Sequence, residues 1–103
     1  MIITSSIRFA INMDNVLTFY VTRLPETICA SEGQSAILFQ MIDGTKFAFI
    51  SLENALFPER EMNALYSKIL DGLERDEKVL HVHNVRPVIY DTTINKLVDC
   101  IHR

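Results

Sequence analysis

Two histidines one residue apart, in His81-Val82-His83, are the side chains of this sequence best spaced to share a chemical task. In an extended strand their imidazoles point to the same side, about 7 Å apart, a workable separation for two ligands of one zinc, nickel or copper ion. A metal site needs at least one further donor, and the candidates are His102, Cys100, Cys29, Asp91 or a glutamate brought in by folding. Cys100 and His102, two apart in an expected helix, diverge by about 160° and do not easily join the same ion. A solvated strand face that happens to carry two histidines outweighs metal binding, because the motif is short and incomplete. The same pair could act as general acid and base in a metal-free phosphodiester cleavage, with Arg86 or Lys78 turned towards it to stabilise the developing charge. Nothing in the spacing fixes that geometry, so the reading leans away from an enzyme. Asp71, Glu74, Asp76 and Glu77 gather near Arg75 and Lys78 and read as the solvated end of a helix.

Other chemistries are absent from the pattern. Gly33, Gly44 and Gly72 lie too far apart to build a backbone cradle for phosphate, which excludes the dinucleotide fingerprint and the P-loop. No serine elbow, paired-histidine zinc helix or paired-cysteine redox motif occurs. Cys29 and Cys100 are too far apart in sequence for a dense disulfide scaffold, so reduced thiols are expected. The ten basic residues are scattered singly and the net charge is −3, which disfavours nucleic-acid binding, since that needs one contiguous cationic footprint. The longest uncharged run, Gly33 to Ile42, is far short of the roughly 18 to 20 apolar residues of a membrane-spanning helix. Met1 to Ile11 has no basic residue ahead of its apolar stretch and is not expected to be a signal peptide. The expectation is a soluble cytoplasmic protein without a membrane partner. Its 103 residues, 49% of them hydrophobic, suffice for one domain spanning 1–103.

The elements that must position these groups follow from periodicity. Ile3, Ile7, Phe9 and Ile11 alternate with Thr4, Ser6, Arg8 and Ala10, the pattern of a half-buried strand. Asn12 to Asn15 supplies turn residues and Val16 to Arg23 resumes a period of two, predicting a first hairpin that closes at Pro25. Asp43-Gly44 between two β-branched and aromatic runs predicts a second hairpin with a two-residue type I′ turn. That register places Gln40 opposite Phe47 and Leu38 opposite Phe49 on one face, and Phe39 opposite Ala48 and Ile37 opposite Ile50 on the other. From Pro58, the residues Met62, Leu65, Tyr66, Ile69 and Leu73 form one apolar helical stripe ending near Asp76, with Gly72 inside it marking either a close contact or simple tolerance. Extended segments follow at Glu77 to Asn84 and Val85 to Tyr90, the latter at an edge, bulge or bend because of Pro87. Asp91 and Thr92 would cap a final helix with Ile94, Leu97, Val98 and Ile101 as its stripe. The expected fold is therefore α+β, a mostly antiparallel sheet of five or six strands with two amino-terminal hairpins and two helices, in the order ββββαβ(β)α.

Both faces of the second hairpin are apolar, so the sheet must be covered twice. If both helices pack on one face, the other needs a partner. The leading expectation is a homodimer or a protein-binding module, with Leu38, Phe47 and Phe49 or Ile37, Phe39 and Ile50 at the interface. A monomer with one helix on each face is nearly as well supported. The alternative of a different class is a metal- or small-ligand-binding sensor, or a small hydrolase or nuclease, centred on His81 and His83 with zinc or another transition metal as its cofactor.

Overall fold

The computed structural model describes residues 1–5, 9–24, 33–52, 55–91 and 96–99. Eight strands and one α-helix lie among them: β1 Ile2–Ser5, β2 Phe9–Asn12, β3 Val16–Leu24, β4 Gln34–Met41, β5 Lys46–Ser51, α1 Pro58–Glu74, β6 Val79–Val82, β7 Val85–Asp91 and β8 Lys96–Asp99. The strands form a small sheet in the order β2-β1-β6 and a larger one in the order β3-β4-β5-β7-β8. Every neighbouring pair is antiparallel except β1 with β6. The α+β class and the antiparallel character stand as expected.

The first alternating run is two strands rather than one. β1 and β2 fold back on each other with Ile3 opposite Ile11 and Ser5 opposite Phe9. A period of two cannot tell a long strand from a tight hairpin here, because both keep these residues on one face. Asn12 accepts a hydrogen bond from the Asp14 amide through its side chain, and Met13–Asn15 form a 3-10 turn. That turn carries the chain from the small sheet to the large one, so the expected hairpin between the first run and β3 does not form; β3 pairs with β4.

The second hairpin forms where Gly44 predicts it, but one residue out of the expected register. Met41 donates to the Thr45 carbonyl, Gly44 donates to the Met41 carbonyl, and Gly44 has φ +94°. The connection is a three-residue loop, Ile42-Asp43-Gly44, of the kind that ends on a left-handed residue. Asp43 accepts the Thr45 amide at 2.9 Å, and hydrogen bonding from Thr45 holds its carboxyl below the usual aspartate value. Phe39 now lies opposite Phe47, Ile37 opposite Phe49, Leu38 opposite Ala48 and Ala36 opposite Ile50. The extra loop residue moves every side chain of β5 to the other face relative to β4.

One core fills the space between the large sheet, α1 and the small sheet. It comprises Ile3, Ile11, Met13, Ile37, Phe39, Phe49, Met62, Ile69, Leu80, Val82 and Val85. Its aromatic rings interlock: Phe39 is edge-on to Phe49 at 5.3 Å, Phe19 stacks on Phe39 at 5.7 Å, and Phe9 meets Phe47 at 5.4 Å. Such arrangements stabilise by about 0.5–1.5 kcal/mol per pair beyond simple burial. A second cluster, Leu24, Ala36, Ala48, Ile50 and Val88, lies on the other face of the large sheet.

Helix α1 begins at Pro58 with Glu59 and Glu61 in its first turn, as its sequence predicts. It ends in a Schellman motif: Glu77 donates to the Gly72 carbonyl, Asp76 donates to the Leu73 carbonyl, and Asp76 has φ +59°. Gly72 is buried where a Cβ would stand 3.1 Å from the Met1 sulfur and 3.1 Å from a Glu77 carboxyl oxygen, so it marks a close contact with side chains rather than with backbone. The expected last helix is corrected: Lys96–Asp99 is strand β8, paired with β7 through Ile89 opposite Val98. The run Leu97-Val98 is too short to distinguish helix from strand by periodicity, and β7 offers it a ladder. Pro87 stands within β7 opposite Phe49, and among the described residues the ladder with β8 begins one residue later, at Val88.

Two measurements check this fold. Asp76→Gly should raise stability in urea unfolding by about 0.5–1 kcal/mol, because glycine adopts the left-handed C′ conformation without cost and removes an acid from the negative end of the helix. Phe49→Ala should lower it by about 3–5 kcal/mol, as for a large ring removed from a packed core. A Phe49 on an open face would show little change.

Candidate functional site

The six side chains expected at an interface are regrouped by the register. Ile37, Phe39 and Phe49 lie together, 0% exposed, on the face that α1 and the small sheet cover, with Phe47 partly buried beside them. Leu38 and Ile50 lie on the opposite face with Ala36, Ala48 and Val88; Ile50 is 1% exposed and Leu38 is partly buried. The expected face groupings are thus corrected, and four of the six residues are buried within a single chain.

His81 lies on the small sheet and His83 just past its end. His81 and Thr4 are opposite each other in the parallel β1–β6 pair, and the Thr4 hydroxyl is 2.6 Å from His81 Nδ1. His81 is exposed, as are Ile2 and Val79 of the neighbouring pair, and His83 is exposed just beyond the end of β6. Among the described residues no group of three or more histidine, cysteine, aspartate or glutamate side chains is arranged to hold a metal. Cys29, Cys100 and His102 lie outside the described residues, and Asp91 is the last residue of β7. Lys78 is exposed before β6, whereas Arg86 belongs to the large sheet, opposite Ile50. The two sheets therefore separate Arg86 from the strand that carries His81.

A surface that the sequence reading passed over lies along β3. Among the described residues β3 pairs on one side only, with β4, and so ends the large sheet. From Val16 to Thr22 it carries no charge. Its ladder with β4 shifts register between Val16 and Thr18, a bulge that leaves Leu17 73% exposed. Phe19 and Val21 pack into the core while Tyr20 is partly exposed, with its hydroxyl 3.4 Å from the Gln40 amide nitrogen. Met13, Val16, Leu17, Thr18 and Phe19, together with Leu73 of α1, line a groove of about 300 Å³. Leu73 and Leu70, one turn apart, stay 38% and 43% exposed. The far end of the strand is pinned: Arg23 pairs with Glu59 of α1 at 2.8 Å and donates to the Gly33 carbonyl at 3.1 Å.

The backbone phase of this edge follows from the hairpin. Met41 donates its amide to the Thr45 carbonyl, so odd-numbered residues of β4 face β5 and even-numbered ones face β3. Thr18, Tyr20 and Thr22, opposite Gln40, Leu38 and Ala36, therefore turn their amides and carbonyls to β4. Phe19, Val21 and Arg23 turn theirs to the other side, where no described strand pairs with β3. The sequence held one signal of this surface, the eight uncharged residues from Asn15 to Thr22, but a hairpin strand and a sheet edge look alike in one dimension.

No helix among the described residues is long and apolar enough to cross a membrane. No family model, curated protein or solved structure shows a significant match to the chain.

Proposed function

We propose that the chain is a protein-interaction module that takes an extended polypeptide segment onto the β3 edge. The uncharged stretch Val16 to Thr22 at the end of the sheet carries this reading. Sheet edges in soluble proteins are commonly blunted by lysine, proline, an inward-pointing charge or a bulge; this stretch has no lysine, proline or charge, and its one bulge lies at its first residues and leaves Thr18 to Thr22 regular. An added strand satisfies the outward amides and carbonyls of Phe19, Val21 and Arg23, while the groove beside Leu17 and Leu73 accepts one apolar side chain. Backbone hydrogen bonds then supply affinity and the groove supplies selectivity. The partner surface moves from the hairpin faces to the strand beside them, while a homo-oligomeric or protein-binding role is retained.

A second reading rests on the hydrogen bond between Thr4 and His81. When the imidazole donates Nδ1–H to the Thr4 oxygen, the ring is oriented as in many metal-ligating histidines and the Nε2 lone pair is left for a ligand. With the exposed His83 two residues on, just past the end of β6, the two imidazoles would supply two donors to zinc or another transition metal.

Panning a peptide library on the wild type, with counter-selection on Leu17→Lys/Tyr20→Lys, tests strand addition. Enriched peptides should alternate β-branched or aromatic residues with polar ones and bind the variant at least about tenfold more weakly, a loss of about 1.4 kcal/mol. Peptides that bind both proteins equally would refute it. For the metal reading, zinc should raise the melting temperature of the untagged protein and lose that effect in His81→Ala. Protein purified without metal and unshifted by zinc removes that reading.

A further inference from the structure

We infer that the segment added to β3 is the β3 strand of a second copy, paired antiparallel about a twofold axis through Tyr20. This rests on the reading of β3 as the contact edge and names its occupant. The backbone phase restricts the register: Phe19, Val21 and Arg23 have outward groups, so each must face an outward residue of the incoming strand. Pairing an odd residue with an even one would set outward groups against groups already turned to β4. Among the allowed registers, the one centred on Tyr20 aligns the whole of Val16–Leu24 with its copy, nine residues or about 30 Å of strand, with the phase interrupted only at the Leu17 bulge.

In that register Phe19 lies opposite Val21 of the copy and Thr18 opposite Thr22. Leu17 lies opposite Arg23, and the two Tyr20 residues face each other on the axis. No like charges meet, and aromatic with β-branched and threonine with threonine are favourable cross-strand pairs. The strand is self-complementary, which a twofold contact requires. The axis runs perpendicular to the sheet, so both copies of α1 lie on the same side of a continuous ten-stranded sheet. The helix flank bearing Leu70 and Leu73, which adjoins β3 and is partly exposed in one chain, then turns towards the junction from both sides. Apolar side chains on that flank and the unpaired strand edge are accounted for by one contact.

Sedimentation of the wild type at about 100 µM should give twice 11.8 kDa. Tyr20 turns its backbone groups inward to β4, so the two Tyr20 residues form a non-hydrogen-bonded pair, the closer of the two antiparallel kinds and suited to a disulfide. In a Cys29→Ser/Cys100→Ser background, Tyr20→Cys should therefore cross-link to a covalent dimer in air. Thr18→Cys alone should not, whereas a mixture of Thr18→Cys and Thr22→Cys chains should. Circular dichroism melting confirms that each variant is folded. A wild type at 11.8 kDa with no cross-linking of Tyr20→Cys overturns the inference. So does cross-linking of Thr18→Cys to itself as readily as to Thr22→Cys. If the peptide library still separates wild type from the edge variant, strand addition stands with another chain as occupant; if it does not, both readings fall.

Discussion

The three-residue loop Ile42-Asp43-Gly44 sets the phase on which the rest of the molecule depends. Positive φ at Gly44 and the Met41–Thr45 hydrogen bond determine which residues of β4 look to β5 and which to β3. They also determine that Phe39, Phe47 and Phe49 share a face, where Phe9 and Phe19 complete the ring network. A loop one residue shorter would put Phe47 and Phe49 on the face of Ala36 and Leu38, leaving Lys46, Ala48 and Ile50 to meet the helix in their place. A local conformational requirement of one glycine is thereby converted into the side of the sheet that α1 can cover.

The same phase reaches the surface. Because each antiparallel strand alternates its backbone groups between its two sides, the hairpin dictates which amides of β3 face away from β4, one strand beyond the turn. The bulge at Leu17 adds a second effect: it breaks the alternation at one end of the strand and pushes a leucine into solvent beside Leu73 of α1. A ladder unpaired among the described residues, an exposed leucine and a run without charge coincide on one edge, while the end of the strand is tied to the helix by Arg23 and Glu59. The small sheet has a different character, since its outward side mixes Thr4 and His81 with Ile2 and Val79, and the threonine holds the imidazole in place.

Much of this architecture was legible in one dimension where a signal was local. Pro58 and the stripe from Met62 to Ile69 define α1, and Gly44 marks the hairpin. The extended segments around Val82 and Val88 are readable from their β-branched residues. Legibility failed where the same pattern serves two structures. Ile3 to Ile11 alternates equally well as one strand or as a hairpin, Asp43-Gly44 closes loops of two or three residues, and Leu97-Val98 suits either a strand or a helical turn. The candidate edge was hidden for a related reason: Leu17 and Tyr20 read as ordinary strand residues until their neighbours are known.

The sequence by itself determined the α+β class, the position and amphipathic face of α1, the presence of a turn at Gly44 and the lack of a glycine-rich phosphate loop. Each of these depends on residues within a few positions of one another, whose conformational preferences act before any tertiary contact forms. The tertiary structure decided the hairpin register, the parallel pairing of β1 with β6, the strand at Lys96–Asp99 and the terminal place of β3 in its sheet. These depend on long-range pairing, in which packing of the phenylalanine rings and satisfaction of backbone hydrogen bonds select among registers that local periodicity leaves equivalent.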